Sequence, residues 1–140
     1  MSQYMLDTDT VSFALRGQGR VAARLLEHRP SQLCISSITL AELRFGAEAR
    51  RSRKLHGLIR TFVEAVTVVP FDQPAADRFA AVAVSLAHRG EPIGTFDTLM
   101  AAHALAIGVD VSHEQRQALR ARRGAQNREL GLTSLLTFSV

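Results

Sequence analysis

The stretch Tyr4-Met5-Leu6-Asp7-Thr8-Asp9-Thr10 changes character within one residue. Three apolar or aromatic side chains stop at an acid, and short oxygen-bearing side chains follow. Asp and Thr are residues whose side-chain oxygens satisfy the unpaired N–H groups of a first helical turn. The segment therefore predicts a strand that passes straight into a helix, with Asp7 at the strand's carboxyl end. The same switch recurs at Leu33-Cys34-Ile35, where Ser36-Ser37 caps a helix expected to run to about Arg50. Val66-Thr67-Val68-Val69, β-branched and closed by Pro70, predicts a third strand. Helices fill the intervals. One is suggested by Val21, Leu25 and Leu26, and another by Leu55, Leu58, Ile59 and Phe62 over residues 53–65. A long one opens at Asp72 or Gln73, keeps helical spacing at Ala75, Phe79, Val82 and Leu86, and ends before Gly90 and Pro92. A last helix is expected from Asp97 through Leu105, and Ile107-Gly108-Val109 is expected to start a fourth strand. Short apolar strands alternating with helices predict an α/β fold, a short parallel sheet flanked by helices.

At 140 residues the chain suits one domain, and neither repeat nor linker divides it. Cys34 is the single cysteine, so no internal disulfide can form, and its apolar neighbours predict a buried, reduced thiol. No run of 18 apolar residues exists to span a membrane, and the first residues lack the basic and apolar regions of a signal peptide. A cytoplasmic protein is expected. The net charge of +4 is unevenly placed. Residues 1–111 hold 12 basic and 11 acidic side chains, whereas residues 112–140 hold five basic and two acidic. The basic character belongs mainly to the tail and says little about the body of the protein.

Three acids stand out by position: Asp7 ends the first strand, Glu42 lies one turn inside the helix after the second, and Asp97 stands at a helix start. Groups at the carboxyl ends of parallel strands meet in one crevice. Carboxylates gathered there, without a cysteine–histidine cluster, suit a hard cation such as Mg²⁺ or Mn²⁺. Such an ion can hold a phosphodiester and activate a water. From spacing alone the opposite assignment stands equally: Asp7 and Asp97 as helix N-caps and Glu42 as a partly solvated helix residue.

Three segments carry a resemblance. Met5-Leu6-Asp7-Thr8-Asp9-Thr10, Ser37-Ile38-Thr39-Leu40-Ala41-Glu42-Leu43-Arg44-Phe45-Gly46 and Ile93-Gly94-Thr95-Phe96-Asp97-Thr98-Leu99-Met100-Ala101-Ala102-His103-Ala104 closely resemble, in order and spacing, the three acidic motifs of VapC toxins. The resemblance covers residues 1–108. It implies a PIN-like fold over residues 1–111, a toxin of a type II toxin–antitoxin system, and Mg²⁺- or Mn²⁺-dependent endoribonuclease activity on RNA, with tRNA a reasonable substrate. It also implies a VapB-like antitoxin partner and leaves a homodimer open. Asp7, Glu42 and Asp97 match the family's metal-binding acids, and Asp9 matches a common extra acid suited to capping. His103 is six residues beyond Asp97 on another side of its helix, which favours a structural role over general-base chemistry. Arg50-Arg51-Ser52-Arg53-Lys54 suits either a rim for RNA phosphates or a solvated loop. Ser12, Ser36 and Ser37 lack the partners of a hydrolase triad, and no glycine-rich phosphate loop exists.

The tail departs from the family, whose chains continue with a strand, a turn similar to V-T-N-N and an ending similar to T-E-N-W. Residues 112–140 are Arg-rich and without an aromatic side chain until Phe138. When His113–Leu130 are written in suitably chosen synonymous codons and regrouped with two bases of the Ser112 codon and the first base of Gly131, they read V-T-N-N-A-R-H-F-A-R-V-V-G-L-K-T-E-N-W. The tail from about residue 108 is therefore expected to be read in a shifted frame. Its Arg-rich sequence, helical or disordered, would replace the last strand and leave the sheet one position short. A toxin impaired in this way, able only to bind its antitoxin, is the alternative reading.

Overall fold

The structure, a computed structural model, describes residues 4–17, 29–90, 93–108 and 110–111. The helix suggested near Val21–Leu26 and the tail 112–140 lie outside the described residues. The elements are β1 (Tyr4–Leu6), α1 (Thr8–Leu15), a short 3₁₀ turn (Pro30–Gln32) and β2 (Leu33–Ser36), followed by α2 (Ser37–Ala49) and α3 (Arg53–Ala65). Then come β3 (Thr67–Val69), α4 (Gln73–His88), α5 (Thr95–Ile107) and β4 (Asp110–Val111). The strands form one sheet in the order β3-β2-β1-β4, and every pairing is parallel.

Register divides the core in two. Met5 pairs with Cys34, and Leu6 with Ile35. Successive side chains of a strand point to opposite faces, so each pair shares a face. Leu6, Leu33 and Ile35 are buried with Val11 of α1, Leu43 and Ala47 of α2 and Ile59 of α3. Met5 and Cys34 face the other way, onto Met100 and Ala104 of α5. The sheet thus lies between two helical layers, as the alternation of strands and helices predicts. Cys34 is buried, and burial pushes its thiol pKa up, as expected of an inert core cysteine.

The helix starts obey local capping chemistry. Ser36 accepts from the Ile38 N–H (3.1 Å), Ser52 from Leu55 (3.1 Å) and Asp72 from Ala75 (3.2 Å). Two boundaries differ from the sequence reading. Helix α5 begins at Thr95, not Asp97, with Gly94 in the cap position and no side-chain cap. At its other end Ile107 is the last helical residue rather than the first of a strand, because its side chain packs on the Met5–Cys34–Met100 cluster. Gly108 (φ 67°) then closes the helix in the left-handed conformation open to glycine. The fourth strand follows at Asp110–Val111, against Tyr4 and Met5 of β1. The sheet position expected to be empty is therefore filled over two residues, both preceding Ser112, where the regrouped reading departs.

Candidate active site

Three helix starts surround the carboxyl ends of β1 and β2. Asp7, directly after β1, is the N-cap of α1, and its Oδ1 accepts the Thr10 N–H at 2.8 Å. The next residue, Thr8, donates its hydroxyl to Glu42 Oε1 at 2.6 Å, which ties α1 to the second turn of α2. Among the described residues only that oxygen of Glu42 is engaged, so Oε2 remains available.

Asp97 sits half-buried in the first turn of α5. A Cβ added to Gly94 would stand 3.7 Å from Asp97 Oδ2, so the carboxylate folds back over the cap residue. Its pKa is raised, first by burial and second by the negative charge of Asp7. The structure thus brings Asp7 and Asp97 within electrostatic reach of each other, with Glu42 joined to the same corner through Thr8. Of the two assignments that spacing left open, capping applies to Asp7 and not to Asp97. Asp9, in the first turn of α1, is engaged in an interaction of its own.

The donor set fits a hard divalent cation in chemistry. All three groups are carboxylates, and two of them repel across a partly desolvated gap that a cation would relieve. In the conformation described, among the described residues, no three His, Cys, Asp or Glu side chains converge as a ready cation cage. One Glu42 oxygen is instead engaged by Thr8.

Beneath the crevice lies a buried polar network that the sequence foreshadows only in part. Ser36 Oγ, besides capping α2, is 2.8 Å from His103 Nδ1 of α5. Thr39 donates to Met100 Sδ at 3.0 Å, and Ser37 Oγ accepts the Phe71 N–H at 3.0 Å. The Phe71 ring meets His103 edge-on, with centroids 5.3 Å apart. His103 is fully buried, and among the described residues its Nε2 has no hydrogen-bond partner. Burial lowers its pKa, while the Asp72 charge and the Pro70 backbone act in the opposite direction. A ring enclosed in this way has a structural role, locking α2 to α5 and so the element bearing Glu42 to that bearing Asp97. The serines and Thr39 carry no signal in the sequence beyond their places at a helix start. The Arg50–Lys54 cluster spans the turn between α2 and α3, with Arg51 at φ 49°, and the exposed first residues of α3.

A parallel sheet between helical layers, with carboxylates at the strand ends, defines a class. Residues 4–123 match the PIN domain, and the chain belongs to the PIN-domain family. Among its relatives, the tRNA(fMet)-specific endonuclease VapC of Shigella flexneri is 32% identical over 110 residues, 78% of this chain and 83% of the relative. Ribonuclease VapC2 of Haemophilus influenzae is 30% identical over 110 residues, again 78% of this chain and 83% of the relative. The DNA-bound VapBC complex from Salmonella typhimurium contains a chain of similar structure (TM-score 0.70, 32% identity), with 79% of this chain and 85% of that chain covered.

Proposed function

We propose that this chain is a metal-dependent endoribonuclease, the toxin of a type II toxin–antitoxin pair, with tRNA as substrate. Asp7, Glu42 and Asp97 are the residues that would hold Mg²⁺ or Mn²⁺. The observation carrying this reading is the placement of Asp97 near Asp7: a half-buried acid kept near a like charge costs stability, as groups retained for binding or catalysis do. When bound, the cation would supply Lewis-acid stabilisation of a phosphodiester and a more acidic attacking water. The chain's own groups prepare the site. The Thr10 N–H fixes one oxygen of Asp7, and the Thr8 hydroxyl holds Glu42 at the edge of the crevice. The Ser36–His103 bond keeps α2 and α5 in step.

The names of the relatives support ribonuclease activity and the tRNA class, and the solved VapBC complex supports a VapB-like antitoxin as partner. Such an enzyme would work in the cytoplasm, where its RNA is. Among the described residues no helix is long and apolar enough to cross a membrane. Residues 1–111 would carry the activity, with 112–140 as an appended tail rather than a second domain. The test is cleavage of a bulk tRNA pool by the purified full chain in Mg²⁺, in EDTA, and as Asp7→Ala. Cleavage is expected in Mg²⁺ only and to vanish in the variant. Cleavage that survives both EDTA and Asp7→Ala would refute the acid site.

A further inference from the structure

A second cluster of charge lies on the other flank of α2. Arg44 of α2 and His56, Ile59, Arg60 and Val63 of α3 line a pocket of about 330 Å³. Ile59 is buried at its floor, whereas Arg44 and Arg60 are exposed. His56 Nε2 is 3.2 Å from Glu48 Oε2, so the nearby carboxylate is engaged by the imidazole. Among the described residues neither guanidinium has a hydrogen-bond or ion-pair partner, although Glu64 stands one turn beyond Arg60. Two unpaired guanidiniums facing one concave surface lose little solvation and gain charge-assisted hydrogen bonds when an oxyanion enters.

Position decides which oxyanion. Glu42 and Arg44 are two residues apart on α2, so their side chains leave the helix about 200° apart and are separated by roughly one helix diameter, ~10–12 Å. A polynucleotide with one phosphate at the acidic corner therefore has later phosphates within reach of the pocket. We infer that the Arg44–Arg60 pocket is a seat for backbone phosphate of the RNA strand, away from the acids. It fixes the register of the strand and reads no base. This inference rests on the proposed ribonuclease reading for its choice of ligand, and its test is independent of cleavage.

The probe is a fluorescein-labelled single-stranded oligoribonucleotide of mixed sequence. Its binding to the full chain is followed by anisotropy in EDTA over a series of salt concentrations. Each phosphate contact on a single strand contributes about 0.7 to the slope of log affinity against log salt. Arg44→Ala combined with Arg60→Ala is expected to weaken binding and to reduce that slope by about 1.4. The same double exchange at Arg78 and Arg89, exposed on α4 and at its end, is expected to leave it unchanged. An unaltered slope in the first variant overturns the inference, as does an equal fall in both, which would mean general electrostatic attraction. A pocket that proves to seat an acidic protein segment would show the first of these results. If the slope falls as expected and wild-type protein cuts no tRNA in Mg²⁺, the pocket stands and the ribonuclease reading fails. Cleavage with an unaltered slope means the reverse: the ribonuclease reading stands and the pocket falls.

Discussion

Replacing Ser36 by alanine removes one oxygen that serves two partners at the same point. The side chain is fully buried. Its oxygen caps α2 through the Ile38 N–H at 3.1 Å and stands 2.8 Å from His103 Nδ1. Losing a serine cap costs about 1 kcal/mol. Leaving a buried ring nitrogen without a partner costs about 1–3 kcal/mol more. Among the described residues Nε2 of the same ring is already without a partner. Ser36→Ala is therefore expected to destabilise the protein by about 2–4 kcal/mol. Ser52→Ala is the matched control: it removes a cap of equal length, to Leu55 at 3.1 Å, from a half-exposed serine whose side chain has no second partner among the described residues. Only about 1 kcal/mol should be lost there. Urea unfolding of both variants at pH 7.5, fitted with a common m-value, measures the difference directly. Equal losses in the two variants would refute the claim that the Ser36–His103 bond joins α2 to α5.

The same histidine predicts a pH response. Its folded pKa is lowered, so the unfolded chain binds the proton more readily, and stability present above about pH 6.5 declines as pH falls below it. Thermal midpoints between pH 8 and 5 should show this, with a contribution of at most about 1.4 kcal/mol per pH unit that His103→Phe removes. For Asp97 the sign is opposite. A raised carboxyl pKa means that the folded state binds the proton better, so stability is lost as pH rises from about 3.9 through the folded value, and at pH 7 the charge is a burden. Asp97→Asn is expected to melt higher than wild type and to cleave RNA about 100-fold more slowly or worse. Mg²⁺ at ten times its dissociation constant should stabilise the wild type by about 1.4 kcal/mol and leave that variant unmoved. Finally, the gene is expected to encode V-T-N-N and T-E-N-W in the alternative frame beyond the Ser112 codon. A DNA sequence without that frame disproves the shift.

What is legible in the sequence is what is decided locally. The passage from Leu6 through Asp7 into α1, and the caps at Ser36 and Asp72, follow from side-chain chemistry within a few residues. The start of α5 does not, because Gly94 offers no capping side chain and Asp97 resembles the better cap. Ile107-Gly108-Val109 misleads for a related reason: an apolar residue before glycine suits a strand start or a helix end, and only contact with Met5 and Cys34 decides between them. For the candidate site, parallel topology alone places Asp7 and Asp97 at one corner. The Thr8–Glu42 bond spans 34 positions of sequence and depends on how α1 packs against α2. His103 is legible as structural from helical spacing, but its partner Ser36, 67 positions earlier, is not.

Strand order has a consequence in time. The inner strand β1 pairs on one side with β2 and on the other with β4, whose register sets Tyr4 beside Asp110. Asp7 and Asp97 stand roughly 90 residues apart in the chain. At a synthesis rate of about 5–20 residues per second, the ribosome needs roughly 5–18 seconds to add the second acid after the first. During that interval the growing polypeptide holds first one and then, once Glu42 is made, two of the three acids, and the edge of β1 that will receive β4 is unpaired. If the proposed acid site cuts RNA, a nascent chain of this fold would lack the third of its acids until synthesis has reached α5. The interval also gives an antitoxin time to be present before the site is complete.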